Sequence, residues 1–123
     1  MNKNLEQILS DIITIVGVPA NIKGYKYLRD AIYHVVKDIN LASKLTKSLY
    51  PLIASENNTS ASRVEKAIRH AIEVGYNAGK MTNLNTIFGL EIFNTYDKPS
   101  NGEFIALIAD RLILKGYNLK ENN

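Results

Sequence analysis

Apolar residues recur at three- and four-residue intervals through almost every segment of this chain, and that period constrains the fold more than any other feature. A half-buried strand needs strict alternation, whereas a stripe at this spacing needs an α-helix. Leu5, Ile8, Leu9, Ile12, Ile13 and Val16 mark one face of a first helix, ended by Gly17-Val18-Pro19. A second runs from Gly24 to Ile39 on Leu28, Ala31, Ile32, Val35, Val36 and Ile39, with Tyr25 near its start. Ser43 is placed to cap a third, carrying Leu45, Leu49, Leu52 and Ile53, in which Pro51 marks a kink or a fresh first turn. The polar turn Glu56-Asn57-Asn58-Thr59-Ser60 precedes a fourth helix. Thr59 or Ser60 caps it, or the Ser62–Glu65 capping box starts it a turn later, and it ends near Tyr76-Asn77-Ala78-Gly79.

A short fifth helix is expected over Asn83 to Phe88, stopped by Gly89, with Leu90 to Phe93 as packed loop. Asp97-Lys98-Pro99 breaks the chain. Ser100 and Glu103 form a second capping box that opens a last helix through Phe104, Ile105, Ile108 and Leu112. Residues 116–123 read as a polar, frayed tail. The expectation is an all-α fold of about six helices containing a helix-turn-helix. None of these helices is stable alone in water, so each must bury its stripe against another.

A length of 123 residues suits one compact domain, residues 1–123, and 46% hydrophobic content supplies its core. No apolar run is long enough to cross a bilayer and no signal-peptide pattern opens the chain, so no membrane is expected. The absence of cysteine excludes disulfides and thiolate metal sites and fits a cytoplasmic location. A net charge of +3 points only weakly to polyanions.

Enzyme chemistry finds no support. There is no Gly-rich phosphate loop, nucleophile elbow or H-E-x-x-H motif, and no catalytic residue or cofactor is expected. His34 reads as a partly packed or surface histidine. His70 and Glu73, at i and i+3, are too few to hold zinc. Asp11, Asp30, Asp38 and Asp110 are expected on exposed helix faces. Tyr25, Tyr27, Tyr33 and Tyr50 form core and rim more readily than a stacking platform for single strands.

The fourth helix carries the most chemistry. Val64, Ala67, Ile68, Ala71 and Ile72 make its buried stripe, and Ala67 and Ala71 form a small-residue seam for a neighbouring helix. The other side presents Ser62, Arg63, Glu65, Lys66, Arg69 and His70. Such a face is usually only solvated. A helix in the major groove, however, reaches base edges from its N-terminal half, where Ser62, Arg63, Glu65 and Lys66 lie. Lysine and arginine donate to guanine, and glutamate accepts from the cytosine amino group. Arg69 and His70, one turn later, suit phosphates, as do Thr59 and Ser60 at the helix N-terminus. The alternative reading is a helical protein-interaction module whose basic face meets an acidic partner.

The runs Gly17-Val18-Pro19-Ala20-Asn21-Ile22-Lys23-Gly24-Tyr25, Tyr27-Leu28-Arg29, Leu49-Tyr50-Pro51, Thr59 through Glu73, and Pro99-Ser100-Asn101-Gly102-Glu103-Phe104-Ile105-Ala106 carry a family resemblance. The chain resembles the effector domain of the stage-zero sporulation response regulator of endospore-forming bacteria, from Leu5 to about Leu114. The run from Ser62 to Glu73 is the most specific part.

The resemblance implies a six-helix fold, binding to double-stranded promoter boxes of the TGTCGAA kind, and activation or repression of genes at the onset of sporulation. It implies groove positions for Ser62, Arg63, Glu65 and Lys66, and backbone positions for Arg69 and His70. The family often has arginine where this chain has Lys66, and lysine lacks the planar two-pronged fork. The resemblance also implies contact with the RNA polymerase sigma subunit through the region Gly79 to Ile92. There Leu84, Ile87 and Phe88 read as core, and Lys80 and Asn83 as polymerase-contact candidates. Head-to-tail self-association on tandem boxes, through the last helix, is a further implication. The family's full-length members carry a receiver domain phosphorylated on aspartate. A chain of 123 residues has no room for one, so phosphorelay control is assigned to no residue here.

Overall fold

Leu5, Leu9, Ile12, Ile13 and Val16 are buried along one side of α1 (Lys3–Ile15) and its final turn, as their spacing requires. The structure, a computed structural model, describes residues 3–117. Among the described residues the chain is all-α, with six helices and no strand. The others are α2 (Lys23–Lys37), α3 (Tyr50–Glu56), α4 (Ala61–Asn77), α5 (Asn83–Phe88) and α6 (Asn101–Leu114).

Between α2 and α3 the chain departs from the expected regular helices. α2 stops at Lys37 because Asp38 adopts an extended backbone, φ −146°, and its carboxylate accepts from the Asn40 N–H at 3.1 Å. That caps a separate 3₁₀ turn, Ile39–Ser43, and leaves Ile39 half exposed instead of in the α2 stripe. Ser43 therefore ends a 3₁₀ turn and caps nothing. A π turn, Leu45–Leu49, leads into α3, which has Pro51 in its first turn. A continuous α-helix here would drive the Pro51 ring into the carbonyl four residues back. The π turn instead closes with the Leu49 N–H on the Lys44 carbonyl and the Tyr50 N–H on the Leu45 carbonyl. The wider turn carries one residue more than an α turn. That shift in phase turns Tyr50 and Ala54 inward beside Leu49 and Ile53, and turns Leu52 out to solvent.

α2 is the central helix: α1, α4 and α6 all pack against it. Its approach to α4 is set by Gly24, where a Cβ would stand 2.2 Å from the Ala67 carbonyl oxygen and 2.7 Å from the Ala71 Cβ. The Ala67–Ala71 seam is thus used, with the glycine on the opposing helix completing it. At the other end of α4, a Cβ on Gly75 would meet the Val16 carbonyl oxygen at 2.5 Å, so α1 crosses there equally closely. The buried side chains of all six helices form one hydrophobic cluster.

Two further expectations are corrected. Asp30 is buried, not exposed; Lys26 Nζ lies 2.9 Å from its carboxylate and Asn57 Nδ2 donates to it at 3.5 Å. These partners compensate a carboxylate removed from water and tie the turn after α3 to α2. Ile87 is 39% exposed, because the short α5 turns Leu84 and, in part, Phe88 to the core and leaves Ile87 beside Ile15 on a shallow outer groove. The loop from Leu90 to Phe93 is irregular, as expected, and is held by the Asn85 side chain. Gly116 and Tyr117 close α6, with the Tyr117 N–H on the Leu112 carbonyl at 3.1 Å; the rest of the expected tail, 118–123, lies outside the described residues.

Candidate nucleic-acid interface

The fourth helix begins at Ser60. Its backbone is extended, φ −104° and ψ 153°, and its Oγ accepts from the Arg63 N–H at 3.2 Å. Ser62 is therefore already inside the helix, and the alternative Ser62–Glu65 box does not form. Thr59 belongs to the preceding turn, where its N–H donates to the Ala54 carbonyl. The four residues 57–60 join α3 to α4, an arrangement compatible with a helix-turn-helix.

Val64, Ile68, Ala71, Ile72 and Gly75 bury one side of α4. Ser62, Arg63, Lys66, Arg69, His70 and Glu73 are all exposed on the other. Ser62, Lys66, Arg69 and Glu73 follow one another at helical spacing down the middle of that face, and Arg63 and His70 flank them. Glu65 sits on the opposite flank, half-buried beside α3 and α6. The structure thus brings Ser62, Arg63, Lys66, Arg69 and His70 onto one surface, with Glu65 at its margin and Thr59 and Ser60 in the turn before the helix.

The charges on this face are not equivalent. Arg69 Nη1 is 2.7 Å from Glu65 Oε2, and Lys98 Nζ is 3.3 Å from Glu73 Oε2. Among the described residues no ion pair engages Arg63 or Lys66. Exposed pairs of this kind contribute only about 0.2–1 kcal/mol, so a phosphate or a base competes with them readily. On this face the arginine and lysine that no ion pair engages therefore lie in the N-terminal half of α4, where a groove-inserted helix makes its base contacts.

Lys80 is exposed just past α4, and its side chain lies against Gly17. Asn83 is exposed too, but its Nδ2 donates to the Ile15 carbonyl at 3.1 Å and pins α5 to α1. Both lie at the far end of α4, roughly 22 Å along the helix from Ser62. No three His, Cys, Asp or Glu side chains cluster as a metal would need among the described residues. Of the four tyrosines, Tyr27 and Tyr50 are buried, and the Tyr25 hydroxyl bonds α1 at Thr14 and Ser10, so no stacking platform forms.

Spacing alone missed three neighbours of α4. Lys98 reaches Glu73 from the loop before α6. Thr46, on the π turn, lines one groove with Ser62 and Glu65. Asn101 Nδ2 donates to the Glu65 carbonyl at 3.2 Å and to the Tyr50 hydroxyl at 3.0 Å. Its only visible sequence signal was its place after the Ser100 cap, which announces a helix start and nothing about α4. That cap is a full capping box: Ser100 Oγ accepts from the Glu103 N–H, and Glu103 Oε1 accepts from the Ser100 N–H. Hydrogen bonding from Ser100, its backbone N–H first and its side chain second, holds the Glu103 carboxyl below its ordinary pKa. Burial raises the Tyr50 pKa; the Asn101 bond opposes that, Glu65 adds to it and Arg69 opposes it.

A family model described as Sporulation initiation factor Spo0A C terminal matches residues 9–112, nearly the whole chain. The chain belongs to that family. It is a DNA-binding, transcription-regulating effector domain of the sporulation response regulator type. The matched span includes α2, α3, α4 and α5 whole, together with the 57–60 turn. For a Spo0A C-terminal domain the relevant partner is promoter DNA. Among the described residues no helix is long and apolar enough to cross a membrane.

Proposed function

We propose that α4 is the recognition helix of a sequence-specific reader of double-stranded promoter DNA, lying in the major groove over a TGTCGAA-like box. One observation carries this reading: the exposed N-terminal half of α4 holds two cations, Arg63 and Lys66, that no ion pair engages among the described residues. In this reading Arg63 and Lys66 donate to guanine, Ser62 bonds a base edge, and Glu65 accepts from a cytosine amino group. Glu65 must swing from its margin position and leave Arg69 to do so. Arg69, freed by that exchange, contacts the phosphate backbone with His70, while Thr59 and Ser60 at the helix start hold another phosphate.

Bound at such boxes on the nucleoid, in the cytoplasm, the domain activates or represses genes at the onset of sporulation. Lys80 and Asn83 face the RNA polymerase sigma subunit in this arrangement, with Lys80 the stronger candidate because the Asn83 amide already holds Ile15. Copies on tandem boxes meet head to tail through α6. The direct test is selection of bound sequences from a random duplex pool, followed by titration of the enriched duplex and a scrambled one at physiological salt. A recovered box bound far more tightly than its scramble supports the reading. Equal affinity for both sinks it and leaves the helical interaction module as the better account.

A further inference from the structure

Asn101 opens α6, 36 residues after Glu65 and 51 after Tyr50, yet its side-chain amide touches both. The Glu65 carbonyl can only accept, so the amide nitrogen must face it, and the orientation of the amide is fixed by that partner. The second N–H goes to the Tyr50 hydroxyl, at the start of α3 and almost fully buried. One side chain therefore fastens both helices of the helix-turn-helix to a third. Its own anchorage is firm, because the Ser100–Glu103 capping box fixes the first turn of α6 on either side of it. The attachment point on α4 is equally informative. Along the helix axis Glu65 lies between Arg63 and Lys66, so the bond to its carbonyl holds the helix at the level of those two exposed cations.

We infer that Asn101 is a positioning residue for DNA reading: its bond to the Glu65 carbonyl sets the rotation of α4 about its own axis relative to α3, and so aims Arg63 and Lys66 at the base edges. The inference rests on α4 being the recognition helix. Ala67 and Ala71, the residues of α4 that meet Gly24, have no side chain beyond Cβ to interlock with α2, so close packing there does not by itself fix that rotation. A directional hydrogen bond removes the freedom that sliding apolar contacts allow.

Two variants separate aiming from folding. Asn101→Asp keeps the shape, removes both N–H donors, and places a carboxylate at a helix N-terminus, where negative charge is favourable to α6. Asn101→Ala removes the donors without adding charge. Each is titrated against a box-containing duplex and its scramble, with thermal melting measured alongside. The expected result is a fall of about tenfold in the ratio of box to scramble affinity for both variants, with scramble binding by Asn101→Ala changed less than about twofold. Melting of Asn101→Asp should stay close to that of the unaltered protein. A general loss of stability shifts the melting point and both affinities together, and that pattern overturns the positioning role. So does an unchanged ratio in both variants while the unaltered protein discriminates. Equal binding of both duplexes by the unaltered protein is a different failure, since it removes the recognition-helix reading and this inference with it.

Discussion

Lys66 and Arg69 are both exposed cations on one face of α4, yet they should behave differently when removed. Lys66 has no ion-pair partner among the described residues, so its ammonium is available to guanine O6 and N7 from the first encounter. Lys66→Ala should lose about 1–3 kcal/mol on a matched box and much less on random sequence, read as the difference between two titrations. Lys66→Arg adds a planar two-pronged fork, and should sharpen discrimination against a changed guanine. Arg69 is held by Glu65 at 2.7 Å, so its removal has two consequences. In the proposed reading it deletes a phosphate-backbone contact and also frees a carboxylate for the groove. Arg69→Ala should therefore weaken binding to all sequences alike, while preference at the cytosine that Glu65 reads is kept or increased. Loss of preference at that base alone would mean that Arg69 works mainly by holding Glu65 in place. The exposure of these residues was legible in the sequence, because helical period separates Val64 and Ile68 from Arg63 and Lys66. Their pairing was legible only for Glu65 and Arg69, which are one turn apart. Lys98 and Asn101 arrive from another element, and no local pattern announces them.

At the scale of the elements, boundaries follow from backbone chemistry more than from stripes. Ser60 wins over Ser62 as the α4 cap because only Ser60 has extended backbone with its oxygen over an open N–H. Ser60→Ala should reduce unfolding free energy by about 0.5–2 kcal/mol in a denaturant titration, and Ser62→Ala should do almost nothing to it. The α6 capping box adds a pH dependence. The Glu103 carboxyl is held below its ordinary pKa by its Ser100 bonds, so it binds fewer protons folded than unfolded. Its contribution is present above the unfolded pKa and is lost as pH falls through the lowered folded value. Melting temperatures followed from neutral pH into the acid range should show that loss, and Glu103→Gln should flatten this part of the profile. The sequence showed both capping boxes as patterns; only one is built, since a pattern of residue types does not fix which serine sits outside the helix. Pro51 was likewise visible as a break. The π turn that accommodates it was not, because its i to i+5 bonds leave no signature in residue spacing.

At the scale of the whole molecule, the surface proposed to face DNA and the core that holds it are one problem. The inner side of α4 packs on α2, α3 and α6, and its apolar residues belong to the same cluster as those of α1. The proposed reading face is thus carried on a helix packed against the central α2 rather than on a loose appendage. Gly24 is where this connection is tightest. A methyl group there would stand 2.2 Å from the Ala67 carbonyl oxygen, and backbone cannot yield as a flexible side chain would. Gly24→Ala must therefore push α2 and α4 apart along the Ala67–Ala71 seam, whose residues directly follow Lys66 and His70 in the chain. Overpacking of this kind destabilises by about 1–3 kcal/mol, and here the displacement is delivered to the proposed recognition helix. Denaturant unfolding should show the lost stability as a single transition, because one core is affected throughout. Box affinity should fall further than the unfolded fraction accounts for, since the folded molecules carry a displaced helix. If affinity, corrected for the unfolded fraction, matches that of the unaltered protein, then the docking of α4 on α2 supports stability alone and the aim of the helix is set elsewhere.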